Sequence, residues 1–308
     1  MQNAAEQLPQ EDTDLEHISA AVAAEISAGD LELPLLPTSA MQVFHLASDA
    51  DADIAKVAGM IERDQKLATG VLRVANSVAY SPRQEIVTLR QAIMRLGLKS
   101  LCEIVLGAAF KATVFSDDRY MEPMQEYWRS GIGTALWAKE LARLRRKNVE
   151  TAYLCGMLHN VGKPMTLKII AGLDGAPAFD DRLASVVDQF AVEVGAILAD
   201  LWQLPEVVKT CITHQQDFES AENYRDEACA VQAATHLMSV TSTKASAERA
   251  DDPADSGQNP DLGTEPPPDL TQTLMALPCF QELNIYPDDL AGLLGQQSRL
   301  ALALESFS

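Results

Sequence analysis

The stretch IERDQKLATGVLRVANS, Ile61 to Ser77, decides how this chain folds. Asp64 stands where a helix N-cap is needed, because its carboxylate can accept hydrogen bonds from the unpaired N–H groups of a first turn. Beyond it Leu67, Val71, Leu72 and Val74 or Ala75 recur at helical spacing and define one inward face. Just upstream, Asp53 can cap IAKVAGMIERD, whose Ile54, Val57, Met60 and Ile61 share a face. Downstream, Thr88 caps LRQAIMRLG, and Gly97 reads as a C-terminal stop.

The same signals extend in both directions. Leu15, Ile18, Val22 and Ile26 repeat at helical spacing, and Gly29 can end that helix. Pro34 and Pro37 break the chain, and Thr38 or Ser39 can cap a short helix through Ala47. LKSLCEIVLGAAFKATVF continues as a mostly apolar helix, so residues 15–115 read as five or six short helices. From about Glu122, MQEYWRSGIGTALWAKELARLRR is a long helix whose basic end suits the negative pole of the helix dipole. ETAYLCGMLHNVGKPMTLKII, LASVVDQFAVEVGAILADLWQLP, PEVVKTCITHQQ and DEACAVQAATHLMSV follow as further helical segments. No strand alternation of any length is present, and the expected class is all-α.

The organisation expected is an N-terminal helix or extension over 1–30, a helical half over 31–118 and a second helical half over 119–243. An acidic, Pro-rich flexible loop is expected over 244–269, because KASAERADDPADSGQNPDLGTEPPPD lacks apolar periodicity. Residues 270–308 read as two C-terminal helices, LTQTLMALPCFQELN and PDDLAGLLGQQSRLALALES, with Leu290, Leu293, Leu294, Leu300 and Leu302 packing on the second half.

Composition limits the function. The 308 residues carry a net charge of −20, which opposes binding to nucleic acid or to an anionic membrane. No apolar run reaches membrane-spanning length, and the N-terminus lacks the form of a signal peptide. The five cysteines stand apart without a CxxC pair, which suggests reduced, buried thiols in the cytoplasm.

Residues from about Leu35 to Val240 resemble the HDOD family, helical bacterial signalling domains related to the HD phosphohydrolases. The resemblance rests most on IERDQKLATGVLRVANS and QAIMRLGLKSL in the first half, then on LCGMLHNVGK and LPEVVKTCITHQ in the second. It implies a multi-helix domain built from an N-terminal helical half and a degenerate HD-like bundle. The positions carrying the family pattern include Asn76, Ser77, Gly97 and Gly162. Asn76 and Ser77 also suit a helix cap or a polar contact at a turn.

The chemistry centres on CGMLHNVGK, Cys155 to Lys163. A water-activating metal needs several imidazole or carboxylate ligands converging from different helices. The HD pattern supplies a first His, a His-Asp pair and a distant Asp. Here the position resembling the first His is Ser130, the pair is His159-Asn160, and the distant position falls on Thr235, between Ala234 and His236. The expected pocket therefore comprises His159, Asn160, Ser130, His214 and Thr235, with no catalytic residue, metal or cofactor. His159, His214 and His236 remain weak candidates for a metal site if they meet in space. His17 and His45 read as surface or local packing residues, and Asp49, Asp51 and Asp53 as solvated or capping rather than calcium-binding. There is no Walker loop or GxGxxG motif.

The expected function is a non-catalytic bacterial signal-transduction module acting through an unknown protein partner, with a small ligand as a further possibility. The alternative is a metal-dependent HD phosphohydrolase acting on a nucleotide or cyclic dinucleotide. A nucleotide sensor without turnover would need Lys163, Arg129 or Lys168 near the pocket.

Overall fold

Two aspartates set the first half of the fold. In the computed structural model Asp53 accepts from the backbone N–H of Ala55 at 2.8 Å, and Asp64 accepts from that of Leu67 at 3.1 Å. The structure describes residues 10–29, 31, 33, 34, 40, 42, 43, 53–76, 85–114, 119–250, 268–305 and 307. The expectations at His45, Asp49, Asp51 and Ser77 lie outside them.

Helix α1 spans Gln10–Ala28. The capped pair are α2 (Ile54–Glu62) and α3 (Gln65–Ala75), and α4 runs over Leu89–Val114. These last three pack on one another and bury Val57, Ile61, Leu67, Val71, Ile93 and Ile104. Gly97 divides α4 into two helical stretches with φ 80° and ψ 157°, a conformation open in practice to glycine alone. The expected stop is thus a sharp joint that re-aims the chain.

The second half begins with α5 (Met121–Leu144), followed by α6 (Val149–Leu158), α7 (Gly162–Gly172), α8 (Asp181–Leu201) and α9 (Glu206–Thr213). A 3₁₀ turn at Phe218–Ser220 leads to α10 (Arg225–Ala250). Helix α6 packs on α5, α9 and α10, while α8 packs on α7 and α9. Helix α1 lays Ile18, Val22 and Ile26 inward and contacts α7 and α8, so the N-terminal helix completes the second half.

The motif segment ends α6 at Leu158, with His159 as its cap, and Asn160 and Val161 turn the chain into α7. Two segments differ from the sequence reading. Helix α10 continues to Ala250, seven residues into the expected loop, since KASAERA is made largely of helix formers and the breaker Pro253 comes later. The C-terminal region forms four short helices: α11 (Pro268–Met275), α12 (Pro278–Glu282), α13 (Pro287–Leu294) and α14 (Gln297–Glu305). Pro278 and Pro287 start new helices because they lack an N–H to continue an old one. Helices α13 and α14 pack on α5, and α12 packs on α10, while Leu302 faces solvent.

The halves meet where α4 crosses α5 and α6. Lys139 of α5 pairs with the buried Glu103 of α4. Phe110 of α4 lies 6.0 Å, centroid to centroid, from both Trp128 and Trp202. The described residues contain no strand and no helix long and apolar enough to cross a membrane.

Candidate functional site

Two close helix crossings fix the shape of CGMLHNVGK. At Gly156 an added Cβ would stand 2.6 Å from Ala135 Cα, so α6 touches the backbone of α5. At Gly162 it would stand 1.7 Å from the Ala191 carbonyl oxygen, so α7 touches the backbone of α8. Only glycine permits both approaches, and His159 and Asn160 lie in the turn between them.

His159 is 3% exposed. Its Nδ1 is 2.7 Å from the Gly156 carbonyl oxygen. A carbonyl only accepts, so Nδ1 carries the proton and Nε2 keeps the lone pair. Burial lowers the imidazole pKa to about 4; the Gly156 carbonyl opposes that shift and Lys163 adds to it. The ring is therefore neutral near pH 7.

Asn160 is also buried. Its Nδ2 donates weakly to the Tyr127 carbonyl at 3.5 Å. A Cβ at Gly131 would lie 3.3 Å from Asn160 Oδ1. The amide thus faces the turn of α5 that contains half-buried Ser130. Lys163 pairs with Asp188 at 2.8 Å and lies 5.9 Å from the centre of the Tyr127 ring. Burial, then Asp188 and Glu126, push the Tyr127 phenol up to about 12.

The remaining expected residues are engaged elsewhere. Thr235 donates to the Val231 carbonyl at 3.0 Å, a bond within its own helix. His214 Nδ1 lies 2.8 Å from Thr213 Oγ1 and 3.2 Å from the Thr210 carbonyl, at the end of α9. His236 is half-buried, which lowers its pKa. Among the described residues no three His, Cys, Asp or Glu side chains are grouped so as to hold a metal, so His159, His214 and His236 do not assemble one. The donors at the turn are one neutral imidazole and one neutral amide. This set does not fit the dication that an HD site holds, because nothing there balances its charge.

Sequence reasoning expected buried thiols but not that two of them meet beside this turn. Cys155, one helical turn before His159, lies against Cys211 of α9. That neighbour, together with burial, pushes the Cys211 thiol well up, so it stays protonated. Both thiols are buried and outside any disulfide, as are Cys229 and Cys279.

Asn76, one of the family-pattern residues, serves the backbone. Asn76 Nδ2 donates to the carbonyls of Leu72 (2.9 Å) and Ile86 (2.8 Å), and Oδ1 accepts from the Ile86 N–H at 2.7 Å. One amide thus closes α3 and holds the segment leading into α4.

Two helical halves joined at α4 and α5, with a His-Asn turn in the second, define a helical output domain of the HD-related type. A family model for the HDOD domain matches residues 33–218, and the chain belongs to that family. An uncharacterized protein of Treponema pallidum (strain Nichols) is 25% identical over 218 residues, 66% of this chain and 42% of the relative. This chain therefore spans less than half the length of that curated relative. An HDOD domain protein with unknown function from Geobacter sulfurreducens superposes with a TM-score of 0.68 at 20% identity, covering 96% of this chain and 99% of that one. A protein from Shewanella amazonensis SB2B, named provisionally as a metal-dependent phosphohydrolase, gives 0.67 at 21% identity, covering 96% and 100%. At such identities the likeness is one of fold.

Proposed function

We propose that this protein is a non-catalytic regulatory module of bacterial signal transduction, working in the cytoplasm by binding a protein partner. One observation carries the reading: the turn that resembles an HD site offers neutral donors only, His159 and Asn160. Ser130 and Thr235, at the other two positions of the pattern, add hydroxyls and no charge. Hydrolysis of a phosphoester by a bound metal needs a ligand set that holds the dication and lowers the pKa of its water. The described part of this pocket supplies neither the charge nor the ligand number. What it retains is shape: a rigid, buried turn clamped by glycine crossings, which suits a structural frame rather than a reaction centre.

The test is metal content, by mass spectrometry on protein purified without affinity tag or chelator, alongside phosphodiesterase assays with added Mn²⁺. The expected result is metal far below one equivalent and no metal-stimulated turnover, in wild type and in Asn160→Asp. Near-stoichiometric metal together with turnover would sink the proposal.

A further inference from the structure

The cysteines stand far apart along the chain, and the fold brings the described ones together in twos. Cys155 of α6 points its Sγ at the Val207 carbonyl of α9, 3.8 Å away. In a regular helix that carbonyl takes the Cys211 N–H, so the sulfur stands beside Cys211. The two thiols are hydrogen-bonded to each other there. Cys229 of α10 donates its thiol hydrogen to the carbonyl of Cys279, in α12, at 3.3 Å. These two are 50 residues apart in sequence. All four side chains are buried, and none is in a disulfide.

A buried residue touches about six to twelve others, so one meeting of two cysteines in a large core is ordinary packing. Here each of the four meets another, across two separate helix contacts. Among the described residues neither pair is joined by a third His, Cys, Asp or Glu that would make it a metal site. What two adjacent thiols can do unaided by a third group is close a disulfide. Hydrogen peroxide turns one thiol into a sulfenic acid and releases water, and the neighbouring thiol then displaces the hydroxyl as a second water. Two thiols and one peroxide thus give one disulfide and two waters. Contact with Cys155 and burial push the Cys211 thiol up, and burial does the same to Cys229 and Cys279. These sulfurs therefore stay protonated and react only when the helices part, so they answer prolonged oxidation rather than a brief pulse.

We propose that Cys155 with Cys211, and Cys229 with Cys279, are two poised dithiols that peroxide converts into disulfides, the first acting as a redox-sensitive switch on the His159 turn. That bridge locks α6 to α9 one helical turn before His159. The second locks α10 to the C-terminal helices. Each closes a long loop, which restrains the unfolded chain and favours the folded one. The bridges need neither partner nor metal, so their failure is distinct from failure of the regulatory reading.

The test is peptide mapping of the full-length protein, stripped of reductant, held with hydrogen peroxide and then capped with N-ethylmaleimide. The same dose is applied to the chain unfolded in urea, as proof that it suffices. The native chain should yield only the Cys155–Cys211 and Cys229–Cys279 cross-links, both reversed by dithiothreitol. Free thiols at these four positions under a dose that oxidises the unfolded chain overturn the proposal. So do crossed pairings, such as Cys155 with Cys229, or sulfinic acids in place of bridges. Cys211→Ser should lose the first bridge and keep the second, and Cys279→Ser the reverse. If either variant does not fold, the wild-type map decides. The switch has its own readout. Oxidation of wild type should slow hydrogen exchange at residues 156–164 about fivefold or more, and dithiothreitol should restore it. A bridge that leaves this exchange unchanged overturns the switch.

Discussion

At the scale of single residues, His159 couples the pocket to pH. The unfolded chain takes up a proton at this imidazole near the ordinary value of 6.5, and the folded chain only near 4. Between these values the unfolded state binds more protons, so stability falls as pH falls through the window. The loss is about 3 kcal/mol by pH 4, and it is absent above pH 6.5. Urea melts of wild type and His159→Gln across pH 4–8 check this. The difference between them should be constant above 6.5 and shift steadily in favour of the variant below it. A difference independent of pH would mean that His159 charges freely in the fold. Asn76 shows another use of an amide: half-buried, it ties the Ile86 backbone, which no helix ladder reaches, to the end of α3.

At the scale of elements, glycine position decides which helices may touch. Gly162→Ala would drive a methyl group into the Ala191 carbonyl of α8, and backbone cannot move aside as a flexible side chain does. The expected cost is about 3 kcal/mol or more. Gly59, within α2, has nothing within 4 Å of an added Cβ. Gly59→Ala should therefore stabilise by about 0.5–1 kcal/mol through helix propensity alone. Thermal and urea denaturation of both variants checks the pair. Similar effects at the two sites would mean that α7 and α8 do not approach as described. The break between α6 and α7 also has a local cause, since Gly162 and Pro164 fall where a continuous helix would need an Ala-like residue and a backbone N–H.

At the scale of the whole molecule, the joint between halves depends on a buried ion pair. Glu103 and Lys139 are 8% and 13% exposed at their side chains. Burial raises the Glu103 pKa, and Lys139 offsets part of that rise. Removing one partner leaves the other charge in an apolar seam, so Lys139→Met should destabilise by about 3–5 kcal/mol. The double variant Glu103→Gln/Lys139→Met should recover much of that loss, because no charge remains buried. Chemical denaturation of the two singles and the double completes the cycle. Simple additivity of the singles would show that the charges do not meet. The same seam holds Phe110, Trp128, Trp202 and Phe307, so its disruption should be visible in tryptophan fluorescence.

The sequence by itself determined the all-α class, the caps at Asp53 and Asp64, the break at Gly97 and the family pattern. Each of these is written in a few neighbouring residues, through periodicity, a carboxylate before an apolar run, or a glycine where no Cβ is tolerated. It also gave the loss of the carboxylate at position 160, since an amide carries no charge. Only tertiary structure decided the rest. The direction in which α7 leaves the motif is set by its close approach to α8 at Gly162, a contact with residues nearly thirty positions away. The neutrality of His159 depends on its burial, and its tautomer on the Gly156 carbonyl. The packing of Phe307 joins positions 107, 111, 128 and 307, and no local pattern links residues so far apart along the chain.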